Sequence, residues 1–188
     1  MSHTVLRDLH SVDEYRQVVD LQYKVWGFTD TNDIVTLPVF IISVKRGAVL
    51  IGAFDAHERM VGFVFSIVGL RERKPMHWSH MLAVLPEYRQ SGLGRELKLA
   101  QRDRVLDFGL DLIEWTFDPL QTLNAHFNFT RLGVVSDEYA RNVYGESTSA
   151  LHKGTPTDRL VVQWNIREPH VERRINNSNV ISVRPPDV

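Results

Sequence analysis

Between Ala48 and Leu85 the chain runs through three apolar, β-branched stretches, "AVLIGAFD", "MVGFVFSIVGL" and "MHWSHMLAVL". The short polar turn "AHER" joins the first two into a hairpin, and the third reads as the next strand. The chain then passes at once through "PEYRQSGLG" into a helical segment from Gly92 to Phe108, which Gly109 ends. A hairpin, a further strand, a glycine turn and a helix in succession leave few folds open. The arrangement also raises a chemical question, because two glycines, Gly92 and Gly94, stand at the start of that helix just after Arg89.

A helix start presents unpaired N–H groups and partial positive charge. Glycines there let a ligand approach the amides with no Cβ in the way. With Arg89 as a nearby cation, the turn suits a phosphate or pyrophosphate. The same glycines also serve a chain that needs only a tight turn. The dinucleotide fingerprint requires a third glycine, and Arg95 to Leu97 supply none. The P-loop requires Gly-Lys-Ser/Thr, and "GRELK" lacks it.

The remaining elements alternate in type. "TVLRDL" reads as a strand. Ser11 and Glu14 form a capping box for a helix carrying Tyr15, Val18, Val19, Gln22 and Trp26, stopped at Gly27. "LPVFIISVKRG" is apolar enough for a helix or a strand; Pro38 and Gly47 favour a short helix. "LDLIEWTF" is a fifth strand, and "PLQTLNAHFNFTRLG" a helix capped by Gly133. "EYARNVYG" and "DRLVVQWNI" read as two last strands. The 188 residues fit one domain, set at 1–167, with 168–188 as an extended or disordered tail. Lys and Arg number 22 against 23 Asp and Glu, so neither a nucleic acid nor an acidic membrane is expected as partner. There is no cysteine, which excludes disulfides, thiolate metal sites and a thiol nucleophile. The eight histidines show no metal-ligand spacing, so no metal is expected. With neither a signal-peptide pattern nor a span-length apolar run, the expected location is the cytoplasm.

"RQSGLG" matches the (Gln/Arg)-x-x-Gly-x-(Gly/Ala) motif of the GNAT superfamily of N-acetyltransferases, between a strand and a helix as in that family. "NAHFNFTRLGVV" resembles the family's second signature, and the order of elements from Thr4 to Ile166 is similar throughout. "WTFDPL", "NAHFN" and "DRLVV" further resemble a branch of predicted GNAT proteins with no assigned substrate. The resemblance implies an α/β (α+β) fold. Its sheet would be mixed, mostly antiparallel and six- to seven-stranded, splayed between strands 4 and 5, with about four helices on its faces.

It also implies acetyl-CoA as co-substrate, a small-molecule or peptide amine as acceptor, and a homodimer as one allowed assembly. Arg89 and the amides of Gln90, Ser91, Gly92, Leu93 and Gly94 would hold the pyrophosphate, and Leu82, Ala83 and Val84 would line the pantetheine arm. The thioester would lie in the gap between Trp78, His80, Met81 and Leu82 on one side and Glu114, Trp115 and Thr116 on the other. Many relatives carry a tyrosine as acid on the last helix; counting four back from Gly133 gives Phe129. Some carry a glutamate as base on the fourth strand; here that place is Trp78. His80, on the face of Trp78 by strand alternation, is the substitute base, since imidazole titrates near neutrality. Glu114 is a second catalytic candidate, and Asn128, with His126, a candidate cofactor or water ligand. Asp118 reads as a turn residue. Trp26, Phe28, Tyr139 and Tyr144 could line an acceptor pocket or belong to the core. Two functions stay open: an acetyl-CoA-dependent N-acyltransferase, or a CoA-binding sensor or interaction module without catalysis.

Overall fold

The computed structural model describes residues 4–145 and 156–176. The strands are β1 (Val5–Asp8), β2 (Val49–Phe54), β3 (Met60–Arg71), β4 (Lys74–Val84), β5 (Leu112–Phe117), β6 (Val135–Ala140) and β7 (Arg159–Asn165). The helices are α1 (Val12–Trp26), α2 (Leu37–Lys45), α3 (Leu93–Asp107), α4 (Thr122–Ala125) and α5 (Pro169–Asn176). A π-helical segment, His126–Leu132, continues α4 without a break. The seven strands form one sheet in the order β1-β2-β3-β4-β5-β7-β6, in which only β4 and β5 run parallel.

Local chemistry sets the first helix. Ser11 Oγ accepts from the Glu14 amide at 3.2 Å, while Glu14 Oε2 accepts from the Ser11 amide at 2.9 Å. Together they satisfy the N-terminal amides. At the other end Gly27 takes the left-handed conformation, φ 63, and its N–H closes on Tyr23 O. Buried Gln22 then clips the following segment to α1, donating to Val35 O at 3.0 Å and accepting from Val35 N at 2.8 Å.

The sheet is covered on both faces at its centre, and every residue of β2 is buried. Phe65 of β3 meets Phe40 of α2 edge-to-face at 4.9 Å. Its neighbour Ser66 points the other way, towards α3, and bonds His77 Nδ1 at 3.0 Å. Phe40 is fully buried, and truncation to alanine would cost about 3–5 kcal/mol.

Two expectations about elements need correction. The sixth strand was placed on "EYARNVYG" but spans Val135–Ala140, and residues 141–145 turn. The stretch 169–176, expected as part of an extended or disordered tail, is helix α5, a fifth helix where about four were expected. Val171 is fully buried and His170 Nε2 lies 2.9 Å from Gly133 O. Residues 146–155, from the loop expected to shape the acceptor pocket, and 177–188, the rest of the tail, lie outside the described residues.

Candidate active site

β4 and β5 are in register at two pairs, His77 with Ile113 and Trp78 with Glu114. Beyond these the strands part. The gap opens into a cavity of about 550 Å³ walled by Ser79, His80, Met81 and Leu82 of β4 and by Trp115 and Thr116 of β5. That size suits a small-molecule ligand. On one side Trp26 and Phe28, their rings stacked at 5.8 Å, and Tyr144 complete the wall. Tyr144 OH lies 2.8 Å from Thr116 Oγ1. Tyr139, expected as a possible liner, stays outside the wall and bonds Asp158 Oδ2 at 2.6 Å.

The edge of the gap is shaped by a bulge. Phe65 pairs with Met81 and Ser66 with Ser79, so His80 is the extra residue in β4. A bulge re-aims side chains and breaks the ladder locally. His80 therefore faces Phe65, ring centroids 6.3 Å apart, and is reachable from the cavity. The protein packed around it holds the imidazole pKa below its ordinary 6.5.

Below Val84 the chain turns through Pro86–Tyr88 and reaches α3 at Gly92. Gln90 and Gly92 both have positive φ, 64 and 94, and Ser91 Oγ donates to Tyr88 O at 2.7 Å. A Cβ built on Gly92 would meet nothing within 4 Å, and one on Gly94 only Leu82 Cδ2 at 4.0 Å. The amides of Arg95 and Glu96 close the first turn on Gly92 O. Open space thus lies against the start of a 15-residue helix. Arg89 is exposed beside it, with Nε donating to Val84 O at 3.3 Å.

This architecture has solved counterparts. The ribosomal-protein-S18-alanine N-acetyltransferase of Escherichia coli superposes with TM-score 0.69 at 16% identity, covering 87% of this chain and 94% of that one. An acetyltransferase of the GNAT family from Streptococcus pneumoniae gives 0.66 at 14%, covering 86% and 98%. PaiA N-acetyltransferase of Thermoplasma acidophilum, in complex with coenzyme A, gives 0.62 at 13%, covering 87% and 99%. This chain has the GNAT fold. No family model and no curated protein sequence matches it.

Within the GNAT frame three expected site residues fall elsewhere. Trp78 and Glu114 do not line the cavity; they are the last registered pair at its closed end. The Glu114 carboxylate, buried at 4% exposure, is ion-paired with Arg71, so it is not set to work with His80. Phe129 also misses the wall, packing edge-to-face on Phe117 at 5.8 Å. The reason is the π-helix, where Gly133 N–H bonds Asn128 O, five residues back. Counting by the α-helical period therefore lands one residue off. Asn128, buried at 4%, is what reaches the cavity, with Phe127. His126 is exposed outside it. Asp118 caps a turn through Leu120 N at 2.9 Å and also touches the wall.

The sequence reading missed Lys98. It lies on α3 at 2% exposure and forms part of the cavity wall. Its Nζ donates to Ser79 Oγ at 3.0 Å and Gln101 Oε1 at 2.9 Å, and stands 3.5 Å from the Trp115 ring centroid. Burial pushes its pKa well below the ordinary lysine range. A signal was present: Leu93, Leu97 and Val105 mark a buried stripe on which Gln101 falls, so polar groups had to be satisfied inside. Arg159, at 7% exposure, also borders the cavity, with Nη1 donating to Asp158 O and its guanidinium over Tyr144. Among the described residues no cluster of His, Asp or Glu is set to hold a metal, and no helix is long and apolar enough to cross a membrane.

Proposed function

We propose that this protein is an acetyl-CoA-dependent N-acyltransferase that moves an acetyl group to the amine of a small-molecule or peptide acceptor. The observation that carries this reading is the cavity in the β4–β5 gap, whose wall residue Leu82 lies against Gly94 of the open glycine turn at the start of α3. Arg89, with the amides of Gln90, Ser91, Gly92, Leu93 and Gly94, holds the pyrophosphate of the co-substrate. Past Trp78 the β4 edge has parted from β5, so the backbone of Leu82, Ala83 and Val84 is free to pair with the pantetheine arm as an added strand would. Asn128 approaches from the π-helical segment that continues α4. Trp26, Phe28 and Tyr144 shape the acceptor side.

The reaction requires a neutral amine, a stabilised oxyanion and a protonated leaving thiolate. His80, with its lowered pKa, is neutral at pH 7 and takes the ammonium proton. The bulge at His80 leaves the ladder incomplete beside the thioester, which makes backbone N–H groups available to the oxyanion. Coenzyme A in a similar fold from Thermoplasma acidophilum supports the cofactor assignment.

The test is Gly92→Glu, which sets an anion where the pyrophosphate should sit. Calorimetry should show acetyl-CoA affinity reduced more than 100-fold in a protein that still folds, and unchanged affinity refutes the site. Release of free thiol from acetyl-CoA with a panel of amines separates the enzyme from a CoA-binding module without catalysis.

A further inference from the structure

The GNAT-like site lacks an acid on the π-helical segment that continues α4, because the side chain at position 129 is an outward-facing phenylalanine. A different proton source stands at the opposite wall. Lys98 is, with Arg159, one of two buried basic residues on the cavity wall, and among the described residues it forms no ion pair. A buried ammonium without a carboxylate is costly, so its retention calls for a reason.

The surroundings of Nζ are specific. Ser79 Oγ, itself 3.1 Å from Gln101 Oε1, and Gln101 Oε1 fix two of its directions. The Trp115 face lies on a third side at 3.5 Å, and the Trp164 ring follows at 5.6 Å. Aromatic faces favour the ammonium, while burial favours the amine. Of the two, burial prevails: the pKa lies well below the ordinary lysine range, so the proton is readily given up. Ser79 immediately precedes the bulged His80, so Nζ is tied to the strand position where the gap opens.

We propose that Lys98 is the catalytic acid of this site, delivering a proton to the departing thiolate. The inference rests on the acetyl-CoA reading above. As the amine nitrogen attacks, the carbonyl carbon–nitrogen bond forms and the carbon–sulfur bond breaks, its electron pair going to sulfur. Nζ gives its proton to that sulfur, leaving free CoA thiol and neutral Lys98. His80 takes the proton lost by the acceptor nitrogen, and Lys98 is recharged from solvent. The other titratable and charged groups on the cavity wall are His80 on β4, Asp33 ahead of α2, Asp118 after β5, Tyr144, and Arg159 on β7. Glu114 on β5 is neutralised by Arg71.

The probe is CoA itself. Thiolate absorbance of bound CoA is followed against pH in the wild type, Lys98→Met and Lys98→Arg. In the wild type the bound thiol should ionise at least one pH unit below free CoA. Lys98→Met should abolish that difference. Lys98→Arg should keep it, since the cation remains, yet lose at least tenfold in kcat, because guanidinium does not release its proton. KM for acetyl-CoA should stay within twofold, and the alkaline limb of the kcat profile should vanish in both variants. Bound CoA titrating alike in wild type and Lys98→Met overturns the proposal. Should Lys98→Met not fold, Lys98→Arg with wild-type kcat and alkaline limb overturns it. CoA failing to bind the wild type refutes instead the cofactor assignment on which it rests.

Discussion

The two ends of the β4–β5 gap treat buried charge in opposite ways. At the closed end Glu114 is 4% exposed and meets Arg71. At the open end Lys98 is 2% exposed and meets a hydroxyl, an amide oxygen and an indole face. The imidazoles divide likewise. His77 is fully buried, with Nδ1 beside Ser66 Oγ and its ring stacked on Phe108 at 5.7 Å, while His80 looks into the cavity. A neutralised charge fixes the fold. A buried titratable group that the protein leaves without an ion partner, its pKa pushed down by burial, marks a candidate functional site.

The largest effect expected from this contrast is on stability. Glu114→Leu strands Arg71 and should cost about 3 kcal/mol. Lys98→Met removes a buried cation and should leave stability unchanged or raise it. Urea midpoints of the two variants check this, and equal destabilisation would break the contrast. Next comes the pH response of the sealed imidazole. Burial lowers His77 to about 4 from an unfolded value of 6.5. Above pH 6.5 neither state is protonated. Below it the unfolded chain gains a proton that the folded state refuses until about pH 4, so stability falls across that window. Between pH 7.5 and 5 the loss should be about 2 kcal/mol, and His77→Phe should remove most of the slope.

At the open end His80→Gln should lower turnover at least tenfold with acetyl-CoA affinity unchanged. The acid limb of the wild-type profile, which lies below pH 6.5, should vanish with it. Near-normal turnover with the same profile would reduce His80 to a structural residue. The smallest effect is reserved for Phe129→Tyr. Packed on Phe117 outside the cavity, the new hydroxyl should change kcat less than twofold. A larger gain or loss would mean that this side chain reaches the reacting atoms.

Local signals in the sequence carried most of the fold. The Ser11 capping box, the Gly27 and Gly133 caps and the glycine turn each depend on neighbours within a few residues, so their chemistry is readable in a row of letters. What escaped depends on departures from period. The bulge at His80 and the π-helix after Ala125 each slip the register by one residue, and a periodic count carries straight through both. The second slip turns Phe129 away from the cavity, while Asn128, already a candidate ligand, lines it. Lys98 escaped for another reason. Lysine on a helix is ordinarily solvated, and only the packing of α3 against Trp115 and Trp164 encloses this one. The Glu114–Arg71 pair joins residues 43 apart, which no local pattern encodes.

Two registered pairs between β4 and β5 make the sheet mechanically a book of two leaves, β1–β4 and β5–β7, with its spine at Trp78 and Glu114. Besides that spine, α3 laces the leaves together. Lys98 reaches from Ser79 to Trp115, and Arg102 donates to Ile166 O just past β7. A molecule lying in the gap grips both leaves at once, so it acts as an added clasp. At a hundredfold excess over its Kd such a clasp adds about 2.7 kcal/mol against unfolding. Peeling of the β5–β7 leaf, read by amide exchange or by protease nicking, then becomes a gauge of occupancy.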